Sequence, residues 1–203
     1  TAGFGLSSSG RTGELHGIGR ADLRQTGISH AVGFVKPKEV QAAVEFDLLL
    51  APGHRVKVNR FSAEMPPLKV FTKGTVSLDQ PRSFDLEVRI PAVAIRALPK
   101  GMLAAKTSFD AGTFQVQFMA TGPLDNWWAA RLKGKAEIRQ AGFKIEGLAA
   151  PVEDLTATFS FEGDRIEVER GTLKIADSRI SATGEVRGWR GVPRIQAAFD
   201  SPG

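Results

Sequence analysis

Apolar and polar residues alternate with a period of two through much of this chain. In Phe84-Asp85-Leu86-Glu87-Val88-Arg89-Ile90 every even position is apolar and every odd one charged, the pattern of a strand with one greasy and one wet face. Val44-Glu45-Phe46-Asp47-Leu48, Phe114-Gln115-Val116-Gln117-Phe118 and Ala157-Thr158-Phe159-Ser160-Phe161 alternate in the same way. Ile166 with Val168, Leu173 with Ile175, Ile180 with Val186, and Ile195 with Phe199 carry the apolar face onward. Turn signals separate these runs at Pro52-Gly53, Ala111-Gly112, Glu162-Gly163-Asp164 and Gly191-Val192-Pro193. The pattern predicts a mainly β fold, a long twisted antiparallel meander in which consecutive strands are neighbours.

Helical signal is scarce. Pro91 to Pro99 predicts two turns bounded by prolines, and Asp125 to Ala130 a second short piece behind an Asp or Asn cap. Neither could cover a sheet of about a dozen strands, yet one face of that sheet is apolar from end to end. Three arrangements would resolve this. The sheet folds over as a sandwich or barrel, it stacks on further copies, or it curls into a groove or half-barrel whose apolar lining meets lipid.

The chain also repeats itself. Gly19-Arg20-Ala21-Asp22-Leu23-Arg24-Gln25-Thr26-Gly27 returns as Gly134-Lys135-Ala136-Glu137-Ile138-Arg139-Gln140-Ala141-Gly142. Farther on, Gly53, Arg55, Val56, Val58 and Gly74 return as Gly163, Arg165, Ile166, Val168 and Gly184. The expected organisation is a leading strand or the end of a preceding repeat over 1–15, a first β-repeat over 16–91, connecting strands and short helices over 92–130, and a second β-repeat over 131–203. All of it reads as one continuous β domain. Stacked repeats usually build an extended surface, not a lone catalytic pocket.

Composition narrows the functional classes. With 42% hydrophobic residues the 203-residue chain can build a core. No apolar run approaches the roughly 20 residues that span a bilayer. The start at Thr1 without a signal-like stretch, and the end just after a strand-like run, lead us to expect a segment excised from a longer protein. There is no cysteine, hence no disulfide or thiolate chemistry. The net charge of +5 is spread among acids, as in Asp164-Arg165-Ile166-Glu167-Val168-Glu169-Arg170, and there is no Tyr to serve as a stacking platform. Nucleic acid is therefore not an expected partner.

His16, His30 and His54 are far apart and predict no metal site. Nothing resembles a nucleophile elbow, a catalytic carboxylate pair or a phosphate loop, so neither an enzyme nor a cofactor is expected. Gly17, Gly19 and Gly27 read as bulges or bends. Trp127-Trp128 reads either as a plug at one end of the sheet or as a membrane-interface anchor.

One ordered series of features resembles a known family. It comprises Leu132-Lys133-Gly134 opening a strand, Ala150-Pro151-Val152-Glu153-Asp154-Leu155 leading into the next, and the hairpin Phe161-Glu162-Gly163-Asp164-Arg165-Ile166. Gly171-Thr172-Leu173 and Ser181-Ala182-Thr183-Gly184-Glu185-Val186 close the unit. These segments are similar to the periplasmic β-repeat segment of the AsmA-like family, with its YhdP and TamB relatives. The match is closest over 131–188, and the first copy departs from it at Met65-Pro66-Pro67.

The resemblance implies a periplasmic segment of an envelope protein held in the inner membrane by an anchor outside this segment. Its hydrophobic β-groove would serve phospholipid transport between inner and outer membrane and outer-membrane biogenesis. The implied partners are phospholipid acyl chains and neighbouring repeats of the same chain. By strand parity the groove lining is expected to be Phe84, Leu86, Val88 and Ile90 with Phe159, Phe161, Ile166, Val168, Leu173, Ile175, Ile180 and Val186. The rival expectation is a β-repeat scaffold that binds no lipid.

Overall fold

The computed structural model describes residues 4–10, 14–23, 28–29, 35–36, 41–98, 107–147 and 149–201. The described chain is mainly β. In chain order the strands are β1 (Phe4–Ser9), β2 (Leu15–Asp22), β3 (Ile28–Ser29), β4 (Val35–Lys36), β5 (Ala43–Ala51), β6 (Arg55–Met65) and β7 (Leu68–Ser77). There follow β8 (Ser83–Ala94), β9 (Thr107–Pro123), β10 (Arg131–Ile145), β11 (Val152–Glu162), β12 (Arg165–Ile175), β13 (Ser178–Arg187) and β14 (Arg194–Asp200).

Two compact units divide the chain, one comprising Thr1–Ile90 with Met119–Arg131 and the other Pro91–Phe118 with Leu132–Gly203. In the first, the strand order is β1-β2-β5-β6-β7-β8, and β3 and β4 form a separate two-stranded ladder. In the second, the order is β9-β10-β11-β12-β13-β14. Each is an open antiparallel meander, as the alternation and the close-spaced turns predict.

The helical expectations are corrected. Pro91 to Ala94 continue β8, and only Ile95–Ala97 make a single 3₁₀ turn. The β-branched Val93 is buried between exposed Ala92 and Ala94, an alternation that suits extended backbone better than a helix, and buried Ile95 opens the 3₁₀ turn that follows. Trp127–Ala129 are likewise one 3₁₀ turn, and the Asn126 side chain does not cap it. Ala111-Gly112 is not a turn but lies inside β9. Gly112 has a φ of +101°, and a Cβ there would collide with Ala141 of β10, so glycine serves a close approach of two strands.

Two strand pairs share one ladder. β6–β7 pairs Arg55↔Ser77, Val56↔Val76 and Val58↔Gly74, then skips to Phe61↔Thr72 and ends at Met65↔Leu68. β12–β13 pairs Arg165↔Arg187, Ile166↔Val186 and Val168↔Gly184, then skips to Gly171↔Ala182 and ends at Ile175↔Ser178. Every partner agrees at one offset, 165 − 55 = 110. The skipped pairs, Asn59-Arg60 and Glu169-Arg170, are β-bulges at equivalent places. The ladders on the other side of these strands break there too, between Asp47 and Leu48 and between Thr158 and Phe159. The preceding strands do not follow suit, since Gly19 faces Phe46 whereas Gly134 faces Phe161, the counterpart of Leu50.

Few side chains are dry. Among the described residues the buried hydrophobic ones are Val58, Met65, Ala120 and Ala130 in the first unit, and Val93, Ile95, Ala141, Val152 and Ala157 in the second. Four of these nine are alanines. Strands this long with so thin a buried set are half-covered sheets, not the two facing layers of a sandwich.

Candidate functional site

The apolar face of the second unit is assembled by register. Directly opposed residues in an antiparallel ladder project to the same side. One row runs Phe161–Ile166–Val186–Ile195, the next Phe159–Val168–Gly184–Ala197, and a third Ala157–Gly171–Ala182–Phe199. Leu173 faces Ile180, and Ile175 faces Val152, on that same side. All eight residues expected here from parity, Phe159, Phe161, Ile166, Val168, Leu173, Ile175, Ile180 and Val186, therefore share one face, and each is half-buried.

This convergence depends on the bulge. Apolar residues of β12 occupy even positions through Val168 and odd positions from Leu173. A regular strand would send the two sets to opposite faces. The extra residue at Glu169-Arg170 absorbs the change of parity and keeps both sets together. In the first unit Val56 and Val58 precede the equivalent bulge, and Phe61, Ala63 and Met65 follow it.

Phe84, Leu86 and Val88 of β8 lie opposite Val76, Gly74 and Thr72, which in turn lie opposite Val56, Val58 and Phe61. Ile90 follows them by parity, and all four are half-buried. The first unit thus carries its own apolar face, to which Phe46 and Leu48 of β5 also belong through Phe61 and Val58.

Phe118 alternates in sequence within Phe114 to Phe118 but is not among the residues expected to line the face. Its ring meets Phe161 edge-on, with centroids 6.0 Å apart. Gly134 on the intervening β10 faces Phe161, and a Cβ there would strike Phe118. Two aromatic rings therefore close over one glycine, and Gly134 within an otherwise regular strand is the signal that could have found them.

The opposite face is charged and internally paired. Lys73 Nζ lies 2.9 Å from Glu87, and Lys135 Nζ 2.9 Å from Glu169, whose carboxyl this ammonium holds below its usual pKa. Glu185 takes Arg165 and Arg187 at 2.7 Å each; the hydrogen bond from Arg187, with Arg165 adding its charge, lowers its pKa. Asp47 accepts hydrogen bonds from Asn59 at 2.9 Å and from His16 at 2.8 Å, and both depress its pKa. A shallow hollow of about 300 Å³ opens on this face beside Phe71, lined by Asn59, Arg60, Lys73, Glu87 and Arg89.

Protein-family models, curated proteins and solved structures were all compared with this chain, and none matches. Its chemistry is therefore read from its own residues. Among the described residues no group of three or more His, Asp or Glu could hold a metal ion. His16 and His54 each pair with a single aspartate, Asp47 and Asp79; His30 lies outside the described residues. Trp127 and Trp128 stack on one another with centroids 4.2 Å apart and remain about half exposed, at 50% and 48%, which does not fit a plug.

Proposed function

We propose that the apolar sheet face holds phospholipid acyl chains, and that the chain is a periplasmic stretch of an envelope protein anchored in the inner membrane outside this segment. In this reading the sheet curls into a groove or half-barrel. Repeats related by the offset of 110 extend it, and lipid moves along it between inner and outer membrane to serve outer-membrane biogenesis.

One observation carries the proposal. Half-exposed Phe, Ile, Leu and Val side chains continue from strand to strand on one face, over Phe161, Ile166 and Val186 and over Phe159 and Val168. Contiguous exposed apolar surface of this kind marks a binding surface. Acyl chains suit it because they need continuity and no polar partner. Exposing a sixteen-carbon chain to water costs on the order of 13 kcal/mol at about 0.8 kcal/mol per methylene, and a continuous apolar strip lowers that barrier. Headgroups would stay in solvent, so little headgroup selectivity is expected. The resemblance to the AsmA-like family points the same way.

A scaffold without lipid is the second reading. It is favoured by Ala141, Val152 and Ala157, which are buried to 4% exposure or less at the β10 side of the same face. Mass spectrometry of organic extracts from the gently purified protein separates the two. Phospholipid from the parent, with little from a folded Phe159→Glu, Ile166→Glu variant, is the expected result. Clean extracts from a folded, monomeric parent would leave the scaffold reading standing.

A further inference from the structure

Three turns of the first unit are laced into one rim. In the β5–β6 turn the His54 carbonyl accepts a hydrogen bond from Leu78 N at 2.9 Å, and the His54 ring lies 2.8 Å from Asp79 in the β7–β8 turn. The Arg82 carbonyl of that turn accepts a hydrogen bond from Leu124 N at 3.0 Å, and the Arg82 guanidinium lies 3.8 Å from Asp125 in the turn before β10. These turns lie within the chain, away from β1 and β14, the outermost strands among the described residues.

Turns are ordinarily built from Gly, Pro, Asn, Asp and Ser. Here Leu78, Leu124, Trp127 and Trp128 are exposed along the rim. The last row of the apolar face, Leu15–Leu50–Val56–Val76–Phe84, ends beside it. Leu15 and Leu50 are exposed too, whereas Met65 at the other end of β6 is buried. The apolar face of the first unit is thus open toward the rim and drier away from it.

Charge is disposed to match an anion. Asp79 and Asp125 are already engaged by His54 and Arg82. Arg55 and Arg131, exposed where β6 and β10 begin, have no ion-pair partner among the described residues. Indole rings settle at the boundary between hydrocarbon and headgroups, and guanidinium groups bind phosphate oxygens in pairs. Hydrocarbon on one side and phosphate on the other is the chemistry of the glycerophosphate region of a phospholipid. The second unit furnishes its own turns in the same way, with Trp189 between β13 and β14 and the Arg190 guanidinium 4.7 Å from its ring centroid.

We infer that the rim of the first unit seats the glycerol and phosphodiester of phospholipids whose acyl chains lie on the apolar face. Trp127 and Trp128 lie against the glycerol esters, and Arg55 and Arg131 each offer a guanidinium to a phosphate. The inference rests on the acyl-chain reading above and adds which end of the face carries the headgroups. The phosphodiester is common to phospholipids, so the rim orients a lipid without choosing among headgroups.

The test uses the Trp189→Phe protein, in which only Trp127 and Trp128 emit. It is loaded with phosphatidylcholine bearing a nitroxide either on the headgroup or near the acyl terminus, freed of vesicles by gel filtration, and its lipid is counted by mass spectrometry. At equal lipid content the headgroup nitroxide should quench at least about twofold more than the acyl one. Trp127→Ser with Trp128→Ser, and Arg55→Gln with Arg131→Gln, each with its fold checked by circular dichroism, should release lipid to acceptor vesicles about tenfold faster. Bound lipid with stronger quenching from the acyl nitroxide, with none from either, or with release unchanged in both variants would overturn the inference and leave the acyl-chain reading standing. No bound lipid would overturn both, and a protein that instead stays on vesicles through Trp127 and Trp128 would make the rim a membrane contact and overturn the inference as well.

Discussion

β6–β7 and β12–β13 share a backbone ladder and fill it differently. Val58 and Met65 are buried in the first pair, whereas their counterparts Val168 and Ile175 are half-exposed in the second. Phe61 stands where Gly171 does, and Phe71 where Ser181 does. What the two pairs keep is the bulge and the glycine beside it, Gly74 against Val58 and Gly184 against Val168. The conformation is thus held at a few backbone-determining positions while packing varies around them. The more open second pair is the better place to look for acyl chains.

Removing both bulge residues should have the largest effect. Deleting Glu169 alone straightens β12 with Ile166, Val168, Leu173 and Ile175 still on one face, whereas deleting Glu169 and Arg170 together sends Leu173 and Ile175 to the charged face. For the double deletion we expect a loss above about 4 kcal/mol, or no cooperative unfolding at all, in urea titrations. Deleting Asn59 and Arg60 together should do the same through Phe61 and Met65. A loss below about 1 kcal/mol for either double deletion would show that strand parity does not hold the apolar face.

The paired glycines sharpen the comparison at smaller cost. A Cβ at Gly74 would meet the Asp85 carbonyl, and the φ there is +144°. Gly74→Val should therefore cost about 3 kcal/mol. Gly184→Val presses on Gln196 and Ala197 of β14, the outermost strand among the described residues, and with an ordinary φ should cost about half as much. Equal losses in denaturant titration would show that β14 is held as firmly as β8.

Acid supplies the smallest effect. Asp47 in the first unit, and Glu169 and Glu185 in the second, have folded-state pKa values below 3.8 and 4.5, their ordinary values. Stability from such groups is present above the unfolded pKa and lost as pH falls through the folded one. Melting temperature should thus hold above about pH 5 and fall toward pH 3. Lys135→Met should make that fall shallower through Glu169, and Asn59→Ala through Asp47. Each change should be a few degrees at most, because the groups are exposed and screened.

Strand existence was legible because Phe84 to Ile90 and Ala157 to Phe161 alternate without interruption, and period-two alternation has no other common cause. The membership of the apolar face could also be read, though Val168 and Leu173 differ in parity and only the bulge between them explains why they agree. Gly112 misled because glycine marks both turns and close strand approaches, and only its neighbour Ala141 distinguishes them. Pro91 misled because it is as acceptable within a strand whose N–H is not needed as at a helix start. The Gly19 and Gly134 match is plain in sequence, yet their cross-strand partners differ, since register depends on the opposing strand as well.

The half-exposed apolar face should also leave a calorimetric mark. Compact domains gain about 12–15 cal/mol/K per residue in heat capacity on unfolding, chiefly from apolar surface that the native state keeps dry. Phe159, Phe161, Ile166 and Val168 are already partly hydrated here, so the unliganded chain should show a smaller increment and a flatter dependence of stability on temperature. Filling the face would dry those side chains and steepen the curve, so a bound occupant would register as extra heat capacity even if it added little to the melting temperature.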